Sequence, residues 1–366
     1  MNEESYFAII TGRRQGPGAA LARGGLLGLS AVYRCVTGVR NAWYDYCAAP
    51  KRLGIPVISV GNLTVGGTGK TPMTIWLCRR LLERGLKPAV LSRGYKADEH
   101  GRADEMLLIS RHCPRAVVVG HPNRYLAGRL AIEEYAVQTA VLDDGFQHRR
   151  LGRDLDLVLI DAVEPWGLGH LLPRGLLREG PGGLRRADAV ILTRCDQVDG
   201  EQLEALHARI RDLEPELPVI RAVHEPTGFV TLLGRETVMP EPARLGCFAG
   251  IARPEAFVRT LAGLDRAPAD TFWWPDHHRY TPADARELIA WVADAGLDAL
   301  VTTEKDAVKL APLEIDWPVP IAALRVEIAF WGRGDMILAG LIDDVLAEYA
   351  DERRPDTQPP AGADTD

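Results

Sequence analysis

From residue 55 to about residue 223 the chain alternates between short, continuous apolar runs and stretches of helical period. The runs are Pro56–Val60, Pro88–Leu91, Ala116–Val119, Thr139–Leu142, Leu155–Ile160, Ala187–Leu192 and Pro218–Val223. Their valine and isoleucine content predicts strands buried on both faces of a parallel sheet. Helical patterns lie between them, as over Thr71–Arg84, closed by Gly85, and over Gln202–Leu213. The alternation predicts a doubly wound α/β domain over 53–223. Upstream, residues 17–49 read as one helix in which Leu29, Val32, Val36, Val39 and Trp43 recur at spacings of three and four. Arg34 and Arg40 fall off this apolar stripe, and Trp43, Tyr44 and Tyr46 cluster at its far end. Such a helix suits a membrane interface, where arginines meet anionic head groups. It equally suits packing against its own domain, and the pattern alone leaves both open.

Over His224–Pro242 the pattern breaks into short alternating runs with turns, which predicts a β-ribbon linker. A smaller α/β unit follows, with strands at Leu245–Gly250 and Ala299–Thr303 and helices at Pro254–Leu264 and Pro282–Ala295. The organisation expected is an interface helix in 1–52, a nucleotide domain in 53–223, the ribbon and smaller domain in 224–350, and a disordered, proline-rich tail in 351–366.

A length of 366 residues accommodates two domains. The net charge of -7 argues against nucleic-acid binding by bulk electrostatics. Basic residues nevertheless gather in 1–52 and again from Arg149 to Arg194. Six scattered cysteines, with no paired spacing, argue against a zinc site or a disulfide framework. Neither a signal peptide nor a spanning helix is expected, because no basic leader precedes an apolar core and no run of eighteen apolar residues occurs.

The strongest chemical signal is a strand, a glycine-rich loop and a helix: PVISV, GNLTVGGTGKT, then an amphipathic stretch. Thr64, Val65, Gly66, Gly67, Thr68, Gly69, Lys70 and Thr71 read as a Walker A phosphate loop for ATP, although the strict pattern has glycine where Thr64 stands. Glycines let backbone N–H groups curl around phosphate oxygens, and the helix N-terminus adds its dipole. Lys70 would meet the β- and γ-phosphates and Thr71 would ligate magnesium. Asp143 and Asp144, ending the run TAVLDDG, read as the Walker B carboxylates, with Asp144 assigned to Mg2+. A capping aspartate pair is the plainer alternative.

With these motifs in place the chain resembles the tetraacyldisaccharide 4'-kinases. The stretches that carry the resemblance are SVGNLTVGGTGKTP, LSRGY, LDDGFQHRRLGRDLDLVLIDA, LLPRGLLREG, ADAVILTR, FAGIARPEAF, PDHHRYT and LVTTEKDAVKL. They occur in the family's order over most of residues 20–325, and the family's loop also carries threonine at the position of Thr64. The resemblance implies a P-loop NTPase-type fold and ATP-dependent phosphorylation of the 4'-hydroxyl of a tetraacyldisaccharide 1-phosphate, a glycolipid. It further implies a peripheral protein on the cytoplasmic face of the inner membrane, with the N-terminal helix on an anionic surface; a monomer is expected. Carried over residue by residue, Asp104 is the proton acceptor, although Ala103 stands where the family has glycine and the preceding loop is shortened. His277 supports that aspartate, with His278 as competitor and Asp276 fixing the imidazole. Arg178 stabilises the transferring phosphoryl group and Glu179 assists the metal, unless the two form a helix-terminal ion pair. Gln147 and His148 could line the site, and Glu304, Lys305 and Asp306 either cap a helix or contact substrate. Three other readings compete, one of them a binding-competent but catalytically weak homologue, motivated by the shortened loop before Asp104. ILTRCD is a degenerate guanine-reading motif with Arg194 in the lysine position, as in a GTPase switch, and a soluble small-molecule kinase would have no use for the N-terminal helix.

Overall fold

The computed structural model describes residues 3–94, 104–239 and 244–352. Two helices open the chain, α1 (Glu3–Ile10) and α2 (Pro17–Tyr46). The nucleotide half follows as β1 (Val57–Asn62), α3 (Lys70–Glu83), β2 (Pro88–Ser92), α4 (Asp104–His112), β3 (Val117–Gly120), α5 (Arg124–Tyr135), β4 (Thr139–Asp143), β5 (Leu155–Asp161), β6 (Ala189–Thr193) and α6 (Gly200–Leu213). The long β7 (Val219–Val230) and the short β8 (Glu236–Thr237) lead into the second unit. It comprises β9 (Leu245–Ala249), α7 (Pro254–Ala262), β10 (Asp270–Trp273), α8 (Pro282–Ala295), β11 (Ala299–Thr303), α9 (Glu304–Leu310) and β12 (Ile321–Phe330), and α10 (Gly334–Glu352) closes the chain.

The strands lie in the order β10-β9-β11-β12-β7-β6-β5-β1-β4-β2-β3. In the nucleotide half they pair in parallel, and β1, β4, β5 and β6 are buried at every residue, as their continuous apolar runs require. β1 has β4 on one side and β5 on the other. Strand order reverses there, and open α/β sheets bind ligands outside the carboxyl ends of the strands at such a point.

β7 belongs to both halves. Its start, Val219–Arg221, pairs in parallel with β6, and Ala222–Val230 then pairs antiparallel with β12. The ribbon foreseen over 224–242 therefore takes its main partner from residues 321–330, while β8 adds only a two-residue pairing; residues 240–242 lie outside those described. The C-terminal boundaries also need correction. α10, expected within the second unit, returns to the first, where Leu338, Ile342 and Val345 pack with Met73, Leu77 and Leu81. Asp335 and Asp343 reinforce this docking on Arg80 and Arg84, both of α3. Asp351 and Glu352, assigned to the tail, continue the helix, and the remainder of that segment, 353–366, lies outside the described residues.

α2 ends at Tyr46, short of the predicted residue 49, because Pro50 disfavours helical backbone in the residue before it. Its orientation inverts that of an ordinary surface helix. The stripe faces outward, with Leu29 57%, Val36 61% and Trp43 59% exposed. The polar side faces the protein: Ser30 donates to the Leu171 carbonyl, Tyr33 to the Arg178 carbonyl, and Asn41 to Glu179.

Candidate active site

The phosphate loop leaves β1 and enters α3 through Gly69, whose φ of 89° lies in the left-handed region that glycine tolerates. A Cβ there would stand 2.4 Å from Nε2 of His224, so the loop rests directly on the start of the ribbon. The far side of the loop is fixed by polar contacts. Asn62 donates to Thr68 Oγ1 at 2.9 Å, Thr193 donates to the Thr68 carbonyl at 3.0 Å, and Arg194 donates to the Gly67 carbonyl. Pro72 falls in the first turn of α3, where a missing N–H costs nothing.

Two of the predicted loop ligands are engaged elsewhere. Thr64 forms an antiparallel bridge to Leu177, and the Val65 N–H donates to the Leu176 carbonyl at 2.7 Å. Gly66 through Thr71 lie beyond this pairing, on the side of the loop that leads into α3. The strand-like tie to 171–178 explains why a threonine stands in the strict-pattern glycine position.

At the end of β4 the two aspartates diverge. Asp144, with φ 56°, turns toward Lys70 at 3.4 Å and accepts two contacts from Arg178, at 2.8 and 2.7 Å. Burial opposes its charge, but Lys70 and Arg178 outweigh burial and hold the carboxyl down at about 2. Asp143 is buried and accepts from Thr74 Oγ1 at 3.3 Å. Burial, then the neighbouring Asp144, pushes it up to about 6 against the pull of Lys70. A positive pair and a split pair of carboxylates thus meet at the mouth of the loop. Such an arrangement can neutralise phosphate and offer oxygen ligands to a hard cation.

Opposite lies a second cluster, contributed by both units. Asp104 opens α4, and His277 sits in the PDHH loop with φ 61°. His277 Nδ1 is 3.5 Å from Asp104 and 3.7 Å from Glu105, and its Nε2 is 3.8 Å from Asp276. Burial opposes ionisation of Asp104, yet His277, Lys309 and Lys305 together keep its carboxyl below the usual range. His278 is turned away, stacked on Trp274 with centroids 5.3 Å apart and 3.3 Å from Asp284. The competition between the two histidines is decided by this geometry in favour of His277 as the neighbour of Asp104. Glu105 also contributes to raising Asp143, so the two clusters lie within electrostatic reach of each other.

The remaining predicted residues divide. Arg178 lies in the site. Glu179, though adjacent in sequence, is held by Arg186 at 2.7 Å, Gln147 at 2.9 Å and Asn41 at 3.3 Å, on the side of α2. Gln147 bridges the two, since its Oε1 faces Arg178 at 3.4 Å. Thr303 caps α9, its hydroxyl accepting from the Asp306 N–H and donating to the Asp306 carboxylate, and Lys305 reaches Asp276 at 3.1 Å and Glu105 at 3.6 Å. Lys309, 3.8 Å from Asp104, had no role in the sequence reading. The available signal was its spacing of four from Lys305, which puts both amines on one helix face. Also unforeseen is Asp161 at the end of β5, gripped by Arg194 from its own half and by Arg253 from the second unit.

A cavity of about 800 Å³ opens between α2 and residues 166–186, beside Arg178 and Glu179. Arg34, Asn41, Trp166, Leu171, Arg185 and Arg209 line it, so apolar wall and guanidinium groups share one space. No helix among the described residues is long and apolar enough to cross a membrane.

Comparison with known proteins gives a consistent match. The family model described as tetraacyldisaccharide-1-P 4'-kinase (LpxK) matches residues 23–346. A tetraacyldisaccharide 4'-kinase of Anaeromyxobacter dehalogenans (strain 2CP-C) is 42% identical over 325 residues, covering 83% of this chain and 86% of that protein. Its counterpart from Anaeromyxobacter sp. (strain K) is 40% identical over 374 residues, covering 96% and 98%. Among solved structures, the "apo" form LpxK from Aquifex aeolicus in complex with ATP superposes with a TM-score of 0.69 at 28% identity, covering 89% of this chain and 99% of that one.

Proposed function

The chain belongs to the tetraacyldisaccharide-1-P 4'-kinase family, and on that premise we propose a reaction site and a setting for it. As a member it is a kinase of lipid A biosynthesis that phosphorylates a lipid A precursor. The γ-phosphoryl group of ATP, seated in the loop from Gly66 to Thr71, passes to the 4'-hydroxyl of a tetraacyldisaccharide 1-phosphate held between the loop and the second unit. Asp104 accepts the hydroxyl proton and His277 orients it; the lowered range of the Asp104 carboxyl keeps it ionised. Lys70 and Arg178 balance charge on the transferring group. Magnesium fits the donors present. The Thr71 hydroxyl and the carboxylates of Asp143 and Asp144 are hard oxygen ligands, and the repulsion that raises Asp143 is what a divalent cation relieves. When bound, it would neutralise charge on the β- and γ-phosphates.

The observation that carries the lipid-facing part of this reading is the inverted helix. α2 offers its apolar stripe outward while its polar face grips Leu171, Arg178 and Glu179, so whatever binds the stripe is brought beside the transfer site. The 800 Å³ cavity on that face suits an acceptor with acyl chains and an anionic group. Basic residues beside the loop, Arg93, Arg124 and Arg150, whose charges act on His148, suit a substrate that already carries a phosphate. This supports peripheral attachment at the cytoplasmic face of the inner membrane.

Phosphorus NMR of the product tests the regiochemistry. The reading requires one new phosphate monoester on the 4'-oxygen, with the 1-phosphate unchanged; a diphosphate at position 1 would overturn it.

A further inference from the structure

Behind the site, α4 and α9 run antiparallel. Asp104, which opens α4, faces Lys309 near the end of α9, and His112, which closes α4, lies 3.1 Å from Glu304, which opens α9. One end of this pair of helices is the cluster assigned above to proton transfer. The other end is a polar knot for which the reaction as described has no use. The side chains of His112 and Glu304 are only 5% and 6% exposed. His112 Nδ1 faces Arg79 Nη2 at 3.0 Å. A guanidinium only donates, so Nδ1 accepts, the ring proton sits on Nε2, and Nε2–H donates to the Glu304 carboxylate. Arg325 approaches the same carboxylate at 3.4 Å, and Arg111 feels its charge. Arg79 pairs in addition with Glu327 at 2.7 Å. One knot therefore joins α3, which begins at Lys70, to α4, to α9 of the second unit and to β12 of the ribbon.

We propose that His112 and Glu304 are positioning residues for phosphoryl transfer, pinning the rear of α4 to the second unit so that Asp104 at its front is held against His277. The proposal rests on the reading of Asp104 and His277 as the proton-transfer pair. α4 has nine residues, so the pin sits about 12 Å behind Asp104. A helix held only at its front can pivot, whereas one held at both ends cannot. Displacement of a reacting group by about 1 Å costs on the order of a hundredfold in rate, so a pin at this distance has leverage on the chemistry. The knot also sets an order of severity. Loss of His112 cuts the link between units but leaves Glu304 facing Arg325 and Arg111. Loss of Glu304 leaves those two guanidinium groups, one on α4 and one on β12, without their shared carboxylate, and they repel across the interface.

The test uses the full chain and four variants: His112→Leu, His112→Gln, Glu304→Leu and Asp104→Asn. Transfer kinetics to tetraacyldisaccharide 1-phosphate and ATP affinity without acceptor are measured for each. Spin labels at the exposed Glu134 and Glu287, with Cys35 and Cys47 replaced by serine, report the distance between units. The expected result is a kcat reduced about tenfold in His112→Leu and further in Glu304→Leu, with ATP affinity unchanged and a broadened distance distribution. Glutamine at 112 carries an N–H near the position of Nε2 and should restore most of kcat and the narrow distribution. Wild-type kcat in His112→Leu would overturn the proposal. So would equal impairment of the leucine and glutamine variants with loss of ATP affinity, which marks a merely structural site. Wild-type turnover by Asp104→Asn would instead overturn the proton-acceptor reading and remove the pin's target, while the distances would still decide whether the pair holds the units together.

Discussion

At the scale of single residues, the site works by splitting like groups. Asp143 and Asp144 are neighbours in sequence, yet burial and the adjacent charge push one up to about 6, while direct contacts with Lys70 and Arg178 hold the other at about 2 against burial. Asp143 therefore costs the empty protein stability. Its folded value is raised, so its contribution is fully present below about pH 4 and is lost as pH rises through about 6. Asp143→Asn should accordingly stabilise the nucleotide-free protein at pH 7 by on the order of 1–3 kcal/mol, with the gain vanishing near pH 4, while transfer falls sharply; thermal denaturation across that range checks it. His148 and His224 act in the opposite sense. Burial, and then nearby arginines, push both down to about 4, so the stability present above about 6.5 is lost as pH falls toward 4. A wild-type midpoint that fell no more steeply over that window than that of a His148→Asn, His224→Asn double variant would contradict these assignments. Part of this arrangement was legible in the sequence: the loop, the aspartate pair and His277 lie in recognisable motifs, whereas Asp104 follows a shortened loop with Ala103 where the family has glycine. The engagement of Thr64 and Val65 was not, because it depends on residues 171–178 folding back onto the loop. Nor were the different partners of Arg178 and Glu179, since adjacent side chains on an irregular segment point apart, here to Asp144 and to Arg186.

At the scale of elements, α2 gives the clearest separation of packing from function. Its stripe contributes little to the protein core, so changing it should affect binding to a surface and not folding. Val36→Asp with Val39→Asp should reduce partition onto anionic vesicles by roughly tenfold or more per residue, with an unchanged denaturation midpoint and unchanged ATP affinity. Vesicle cosedimentation with calorimetry on the same samples checks it, and a collapse of stability would show instead that the stripe packs on protein. The strands of the nucleotide half were readable because strands buried on both faces leave continuous apolar runs. β12 was not read: IAALRVEIAF is only partly buried, and its pairing with β7 joins residues about a hundred positions apart. α9 is seven residues long, too short for a helical period to announce itself.

At the scale of the whole molecule, two units share one continuous path of strands through β7 and β12, and the candidate site draws from both. The change of pattern after residue 223 falls within β7, which runs through both halves. The return of α10 to the first unit was not legible in the sequence, since amphipathic periodicity states that a helix packs but not against what. Asp104, from the nucleotide half, and His277, from the second unit, meet at the junction of the two units. The account stands on transfer occurring at that junction. The measurement that tests it most directly is the initial rate of ATP- and magnesium-dependent phosphate transfer to tetraacyldisaccharide 1-phosphate in mixed micelles, for the wild type, Lys70→Ala and Asp104→Asn. The prediction is robust transfer by the wild type and a loss on the order of a hundredfold or more in each variant, with ATP still bound by Asp104→Asn. Transfer at the wild-type rate by Asp104→Asn, or none by the wild type while it binds ATP, would contradict the account.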